Sequence, residues 1–147
     1  MTRFWDWILS RNIIAGGGTL TSIGLLVLRV TVGLMMAFGH GLGKLVSYGV
    51  RAANFPDPFG IGSPVSLGMV VFAEFFCSLA LVLGFLTRSA AIPLIIAMLV
   101  AAFVIHGDDP FGRKELALMY LASFVVILIA GPGKYSLDRL FSRKQMP

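Results

Sequence analysis

Two ionisable residues, Arg29 and Glu74, lie inside the long apolar stretches Leu20–Phe38 and Ser66–Phe85. A charged side chain near the centre of a bilayer costs at least ~2.5–3.5 kcal/mol on insertion scales, so each needs a partner or a hydrated cavity. Counted along two stretches that run in opposite directions, both residues lie at nearly the same depth. We therefore predict an Arg29–Glu74 ion pair. It is either a structural clamp or the floor of a polar pocket, since a guanidinium can bind a carboxylate and a substrate oxygen together.

A second group of polar residues follows Arg29 along the same helix. At 100° per residue, the eleven residues from Arg29 to His40 correspond to a rotation that differs from three full turns by about 20°. The two residues are therefore predicted to share one face of the helix, about 16 Å apart. Lys44 follows one turn later. The segment Gly39-His-Gly-Leu-Gly-Lys44 lacks the phosphate-loop pattern and ends a membrane helix. Its glycines are predicted to let another backbone approach closely.

The ends of the later apolar stretches add His106, Glu115 and Tyr120. Proton or quinone chemistry needs a cation, a titratable histidine and a phenol beside an apolar slot, and these groups are present. Two histidines at similar depth also suit haem b, but histidines at helix ends serve equally as interfacial hydrogen-bonding groups. No HxxxH or ExxH spacing indicates a metal site. Catalytic residues are not assigned, and the candidate pocket residues are Arg29, His40, Lys44, Glu74, His106, Glu115 and Tyr120.

The composition determines which solvent surrounds these residues. Of 147 residues, 57% are hydrophobic and 13% are charged, and the mean hydropathy is +0.89. Soluble domains have about 25% charged residues, so the chain is predicted to be a membrane protein. It has little soluble surface for a basic nucleic-acid site, and nucleic acid is not an expected partner. The single cysteine, Cys77, excludes a disulfide or an iron–sulfur cluster held within the chain, and we predict that it is a packing residue.

Four membrane spans are predicted, because a span needs about 20 apolar residues. The turn-rich segment 54–64, the turn 84–89, Gly107-Asp-Asp-Pro110 and Gly131-Pro-Gly133 separate them. Pro93 is expected in the first turn of the third helix. Short connections favour an all-α, antiparallel four-helix transmembrane bundle. The predicted spans are Leu20–Phe38, Ser66–Phe85, Ala90–Ile105 and Leu116–Ala130.

The distribution of Lys and Arg predicts the orientation, because these residues are in excess on the cytoplasmic side. Seven of them fall on the side that carries both termini and four on the other side. Both termini are therefore predicted to be cytoplasmic, with the polar pocket opening outward or laterally into the outer leaflet. Residues 1–19 are predicted to be an interfacial segment rather than a cleavable signal, 20–141 the transmembrane domain and 142–147 a basic cytoplasmic tail.

The order and spacing of several short motifs resemble the DoxX family of small bacterial four-helix membrane proteins. The resemblance covers roughly residues 20–141. It implies a multi-pass protein of the bacterial cytoplasmic membrane, related to the small quinone-linked subunit of thiosulfate:quinone oxidoreductases. It also implies that Arg88 and Ser136–Asp138 organise the cytoplasmic surface. The motifs are Arg29-x-x-x-Gly33, His40-Gly41-x-x-Lys44-Leu45, Ala73-Glu74, Gly84-x-x-Thr87-Arg88, His106, Glu115 with Tyr120, and Gly131-Pro-Gly-x-x-Ser136-Leu-Asp138.

The leading hypothesis is a redox-associated membrane subunit whose outward-facing pocket accommodates a quinone head or a small anion. Electrons would come from a partner oxidoreductase subunit, since no electron-carrying cofactor is expected within the chain. One rival is a structural or assembly subunit, in which buried polar groups specify how the helices pack. Another is a small transporter or lipid-handling module, although the sequence shows no inverted repeat. Association into a homo-oligomer is a further expectation that the sequence leaves open.

Overall fold

The computed structural model describes residues 18–143, and this part of the chain is all-helical, without strands. The predicted interfacial segment and basic tail therefore lie mostly outside the described residues. We number the helices in chain order, joining consecutive helical segments that continue without a break. They are α1 (Thr19–Val46), α2 (Tyr48–Arg51), α3 (Ser63–Leu83), α4 (Thr87–Ile105), α5 (Phe111–Ala130) and α6 (Leu137–Arg143).

Three of these helices are long and apolar enough to cross a membrane. They are α1, α3 and α4, with 28, 21 and 19 residues. Helix α5 has 20 residues, but its third to fifth positions are the charged residues Arg113, Lys114 and Glu115. Many apolar side chains point outward, including Val27, which is 58% exposed. This pattern is expected when lipid, and not water, surrounds the helices. The fourth span and the orientation of the termini stay predictions.

The first helix is longer than predicted, because it does not end at Phe38 but continues to Val46. Glycines and Lys44 interrupt the apolar run without ending the helix. The extension changes how α1 lies against α3. A Cβ at Gly33 would lie 3.0 Å from the Ser78 carbonyl oxygen, and one at Gly41 would lie 2.7 Å from the carbonyl carbon of Glu74. The two helices are thus antiparallel, with Gly41 beside Glu74.

The fold has two ends that we name by one residue each. The Lys44 end contains the last turns of α1, residues 52–62 and residues 106–110. The Asp138 end contains the start of α1, residues 84–86 and residues 131–143. Helices α1 and α4 each contain a π-helical segment in the half nearer the Lys44 end, and α3 contains one at its middle. These segments are Ala37–Gly41, Phe72–Cys77 and Val100–Ile105.

The core runs along the centre of the bundle. It is built from α1, α3, α4 and α5, and includes Met36, Leu81, Leu94 and Phe124. Cys77 belongs to it at 6% exposure, which confirms the prediction of a packing role.

Two of the sequence predictions about helix ends are confirmed, and one is wrong. Helix α4 ends before Gly107-Asp-Asp-Pro110 and α5 ends before Gly131-Pro-Gly133. Pro93, however, lies inside α4 and not in its first turn, because α4 already begins at Thr87.

Candidate functional site

Arg29 does not pair with Glu74, so the predicted ion pair is wrong. The Arg29 guanidinium, 1% exposed, donates to the backbone carbonyl oxygens of Pro132 and Tyr135, the latter at 2.7 Å. A Cβ at Gly84 would lie 2.8 Å from its Nη1 atom, so Arg29 is level with Gly84. Gly84 is ten residues beyond Glu74 on the antiparallel helix, about 15 Å at 1.5 Å per residue. The unexpected length of α1 shifts the two charges apart.

Asp138 completes the structure at this end. Its carboxylate accepts hydrogen bonds from the backbone N–H groups of Leu86 at 2.7 Å and Thr87 at 2.9 Å. These groups lie at the start of α4, where the first N–H groups of a helix lack partners within the helix. Leu86 has φ +46°, the only positive φ of a non-glycine residue in the described part of the chain. The Asp138 carboxylate therefore holds a strained turn in place.

Arg88 also forms a hydrogen bond with the backbone at the Asp138 end. Its side chain is 2% exposed, and its Nη2 atom donates to the carbonyl oxygen of Ile129 at 3.3 Å. Together with Arg29, it binds the end of α5 and the turn that follows. The Asp138 end is thus a structural assembly in which buried charges bind backbone groups.

Glu74 instead binds Lys44, at the other end of the bundle. The Lys44 Nζ atom lies 2.5 Å from Glu74 Oε2, and the two side chains are 21% and 9% exposed. The close contact of α1 and α3 at Gly41 brings the two residues together. The prediction that a glycine of this segment permits a close backbone approach is confirmed for Gly41. At Gly39 and Gly43, a Cβ would meet nothing within 4 Å.

His40 and Tyr120 lie next to this ion pair. Their rings meet edge to face, with centroids 5.7 Å apart, and Tyr120 also stacks on Phe124 at 5.9 Å. Tyr120 is 6% exposed, and His40 precedes Lys44 by four residues on α1, where Ala37–Gly41 packs against the segment of α3 that carries Glu74. We call His40, Lys44, Glu74 and Tyr120 the polar cluster.

A groove of about 500 Å³ opens between α1 and α5 beside the polar cluster. We call it the lateral groove. His40 and Tyr120 supply its polar side chains, and the rest of its wall is apolar or glycine. Its apolar residues include Met35 and Phe38, which are 55% and 56% exposed, so the groove faces the surroundings of the bundle. Its lining residues are Leu34, Met35, Phe38, Gly39, His40, Leu116 and Tyr120.

His106 and Glu115 do not line the lateral groove. His106 Nδ1 lies 2.7 Å from Asp109 Oδ2, and Arg113 lies 3.7 Å from the same carboxylate oxygen. The hydrogen bond with His106, followed by the positive charges of Arg113 and Lys114, holds the pKa of Asp109 below its ordinary value. Glu115, the fifth residue of α5, is exposed. Of the seven predicted pocket residues, the structure thus brings together four.

Some residues of the groove were not predicted from the sequence. Leu34 and Phe38 are one helical turn apart on α1, which is a signal for a shared face. This spacing alone does not distinguish the wall of a groove from a surface that faces lipid. The backbone carbonyl groups that bind Arg29 carry no side-chain signal at all. In residues 18–143, no group of three or more His, Cys, Asp or Glu side chains is placed to hold a metal ion.

Comparison with known proteins gives the family. The DoxX family model matches residues 24–107, more than half of the chain. The chain belongs to the DoxX family. The matched region of this DoxX protein contains Arg29, His40, Lys44 and Glu74, and it ends before Tyr120 and Asp138.

Several curated proteins are similar to this DoxX chain. Inner membrane protein YqjF of Escherichia coli K12 is 31% identical over 129 residues, which cover 85% of this chain and 97% of that protein. The membrane protein Rv3486 of Mycobacterium tuberculosis is 29% identical over 142 residues, covering 80% of each. No solved structure gives a significant match. The family and the apolar helices identify a multi-pass protein of the bacterial inner membrane.

Proposed function

We propose that this DoxX protein is a redox-associated membrane subunit that receives the head of a quinone in the lateral groove. A partner oxidoreductase would supply the electrons. The observation that carries the proposal is the His40–Tyr120 contact in the wall of an otherwise apolar groove. Small-molecule sites have volumes of roughly 300–1,000 Å³, apolar walls and a few convergent polar groups, and this groove fits that description.

The groove suits a quinone head because of the shape and polarity of both. A quinone has a flat apolar ring, and its two carbonyl oxygens accept hydrogen bonds. The Tyr120 hydroxyl and an N–H of the His40 ring can donate to such oxygens. The side chains of Met35 and Phe38 supply apolar contact for the ring. Because they are exposed on the side of the bundle, an isoprenoid tail can continue into the lipid.

The ion pair beside the groove favours the quinone head over a small anion. An anion would need a cation directed toward the groove. Lys44 is the nearest lysine on α1, but Glu74 already neutralises it at 2.5 Å. A neutral ring needs no such charge. The pair instead supports the proposal by fixing α1 against α3, so that His40 keeps its position against Tyr120.

Titration of the purified full chain with a short-chain ubiquinone or menaquinone analogue, followed by intrinsic fluorescence, tests the proposal. His40→Phe and Tyr120→Phe each remove one hydrogen-bond donor, and we expect each to weaken binding about 5- to 10-fold. Tyr135→Phe is the matched control, since it removes the same hydroxyl at the Asp138 end. Absence of binding by the wild type up to the solubility limit would refute the proposal, as would equal weakening by Tyr135→Phe.

A structural or assembly role is the second candidate, and the bonds of Arg29 favour it. The Arg29 guanidinium donates hydrogen bonds to the backbone carbonyl groups of Pro132 and Tyr135. These bonds hold helices together without any ligand. If this role is the whole function, the double variant His40→Phe/Tyr120→Phe should fold and retain full activity in the cell. If the quinone role is correct, that variant folds but loses the cellular activity.

A further inference from the structure

A second groove lies at the Asp138 end, away from the lateral groove. It has a volume of about 340 Å³ and lies between the last residue of α3 and the segment that leads into α6. We call it the basal groove. We propose that it binds an anionic phospholipid, with the phosphate at Lys134 of the groove and at Arg139, which precedes the lining residue Leu140, and an acyl chain along its leucines. Its lining residues are Leu83, Lys134, Tyr135, Ser136, Leu137 and Leu140.

The cations of this site are available for a ligand. Lys134 and Arg139 are both exposed, and neither forms an ion pair with another residue of the described range 18–143. Asp138, the carboxylate next to Arg139 in sequence, is bound to the N–H groups of Leu86 and Thr87. Among residues 18–143, neither positive charge is therefore held in a direct ion pair.

The apolar part of the site is also exposed. Leu83 and Leu140 are each 59% exposed, and Phe141 is 56% exposed. The ring of Phe141 meets that of Phe85, with centroids 6.4 Å apart, so α6 and the turn after α3 share one apolar surface. Leaving such a surface in water is costly, whereas an acyl chain beside it removes it from water.

The position along the helices indicates a lipid and not a soluble anion. Helices α3 and α5 end here at Leu83 and Ala130, and α4 begins at Thr87. The ends of membrane-spanning helices lie near the level of the lipid headgroups. The excess of Lys and Arg predicts that this side is cytoplasmic, and anionic lipids of a cytoplasmic leaflet attract each nearby Lys or Arg. A phosphate beside an acyl chain is thus the chemistry that the basal groove matches.

Native mass spectrometry of the full chain in neutral detergent tests this proposal. Phosphatidylglycerol and phosphatidylcholine with identical acyl chains are added in turn. We expect the wild type to bind phosphatidylglycerol at least tenfold more tightly. The double variant Lys134→Gln/Arg139→Gln should lose this preference. Equal affinity of the wild type for both lipids would overturn the proposal, whether or not the variant folds.

Two controls identify the source of the preference. Arg51→Gln/Arg113→Gln removes the same charge from exposed positions at the Lys44 end, and it should keep the preference. If it loses the preference equally, net charge alone is responsible and the proposed site is wrong. Inorganic phosphate added at the same concentration should not displace the lipid. Displacement by phosphate would show an anion site without an acyl-chain component and would also overturn the proposal. The result does not depend on quinone binding.

Discussion

The two ends of the bundle hold buried charge in different ways. At the Asp138 end, the side chains of Arg29 and Asp138 bind backbone groups of turns far away in the sequence. At the Lys44 end, Glu74 binds another side chain, Lys44, beside an open groove. A charge bound to the backbone fixes one arrangement of the chain. The pair of side chains on α1 and α3 instead joins two helices beside the lateral groove, so the buried charges of one end hold turns and those of the other hold the wall of the proposed quinone site.

The π-helical segments are also unevenly distributed. Two of the three, Ala37–Gly41 and Val100–Ile105, lie in the half of their helix nearer the Lys44 end, and Ala37–Gly41 packs against the third, Phe72–Cys77, at the middle of α3. Single π-helical turns inside α-helices frequently occur at functional sites. Helix α1 is α-helical around Arg29 and π-helical around His40. A single helix thus contributes a regular half to the structural end and an irregular half to the proposed site.

The comparison predicts that removing Arg29 has the largest effect on stability. Arg29→Met leaves the carbonyl oxygens of Pro132 and Tyr135 without their donor. Hydrogen bonds to charged groups contribute about 1.5–3 kcal/mol each, so we expect loss of the two bonds to lower the free energy of unfolding by about 3–6 kcal/mol. Reversible unfolding in mixed detergent micelles measures this loss. Wild-type stability of Arg29→Met would contradict the structural assignment of this end.

A double variant sharpens the first prediction. Arg29 and Glu74 lie at different levels, so the effects of Arg29→Met and Glu74→Leu should add to within about 0.5 kcal/mol. A direct ion pair would instead make the double variant more stable than Arg29→Met alone. The double-mutant cycle therefore distinguishes two independent ends from one shared pair.

The contact between α1 and α3 at Gly41 gives the second largest effect. A Cβ there would lie 2.7 Å from the backbone nitrogen of Phe75, and a backbone cannot move aside as a side chain does. We expect Gly41→Ala to destabilise the protein by about 1–3 kcal/mol and to weaken quinone binding. Gly43→Ala is the control, because a Cβ there meets nothing within 4 Å. It should be neutral or stabilising, since alanine favours a helix. Equal effects of the two variants would show that the helices do not meet here.

Loss of the Asp138 carboxylate has an intermediate effect. Asp138→Ala leaves the N–H groups of Leu86 and Thr87 without their acceptor, and loss of such a cap costs about 0.5–2 kcal/mol. Thermal unfolding should show the decrease, while quinone affinity stays unchanged because the lateral groove is at the other end. A parallel loss of quinone affinity would mean that the two ends are coupled.

The pH dependence of stability near Asp57 is the smallest predicted effect. The Asp57 carboxylate accepts hydrogen bonds from Ser66 Oγ and from the N–H groups of Ile61 and Gly62. The bond from Ser66, followed by those from the backbone, lowers the pKa of Asp57 below its ordinary value. Because the pKa of Asp57 is lower in the folded state, its carboxylate contributes fully to stability above about pH 4. This contribution is lost as the pH falls through the pKa of Asp57 in the folded protein.

Asp57→Asn tests this pH dependence. The variant should flatten the fall of the melting temperature below about pH 4, because the group that titrates is gone. Asp108→Asn is the control, as Asp108 is an exposed residue at the same end of the bundle. If the fall of the melting temperature with pH is unchanged in Asp57→Asn and flattened in Asp108→Asn, then Asp108, and not Asp57, is the group that titrates, and the prediction is wrong.

The helices and their connections could be predicted from the sequence because hydropathy and turn-forming residues determine them locally. The positions of α3, α4 and α5 and the turn at Gly131 follow from apolar runs and from Gly and Pro. The end of α1 did not follow, because Lys44 resembles the edge of a span when it is considered alone. Only the ion pair of Lys44 with Glu74 shows why α1 can continue past this charged residue.

The candidate site could be predicted in part for the same reason. His40, Lys44, Glu74 and Tyr120 stand out as polar residues at apolar positions, and the structure places them together. Arg29 stands out equally, but its partners are carbonyl groups that no residue type reveals. Pairing two buried charges by counted depth failed because an error of two turns in one helix changes every contact with its neighbour.

The bonds of Arg29 also set an order of events during synthesis. Its partners lie 103 and 106 residues further along the chain, so the first helix leaves the ribosome long before they exist. Until Pro132 and Tyr135 have been translated, its guanidinium must remain hydrated or be held at the headgroup level. The native bonds of Arg29 can therefore form only after the last long helix has been made, and a nascent chain stopped after Ala130 should lack them.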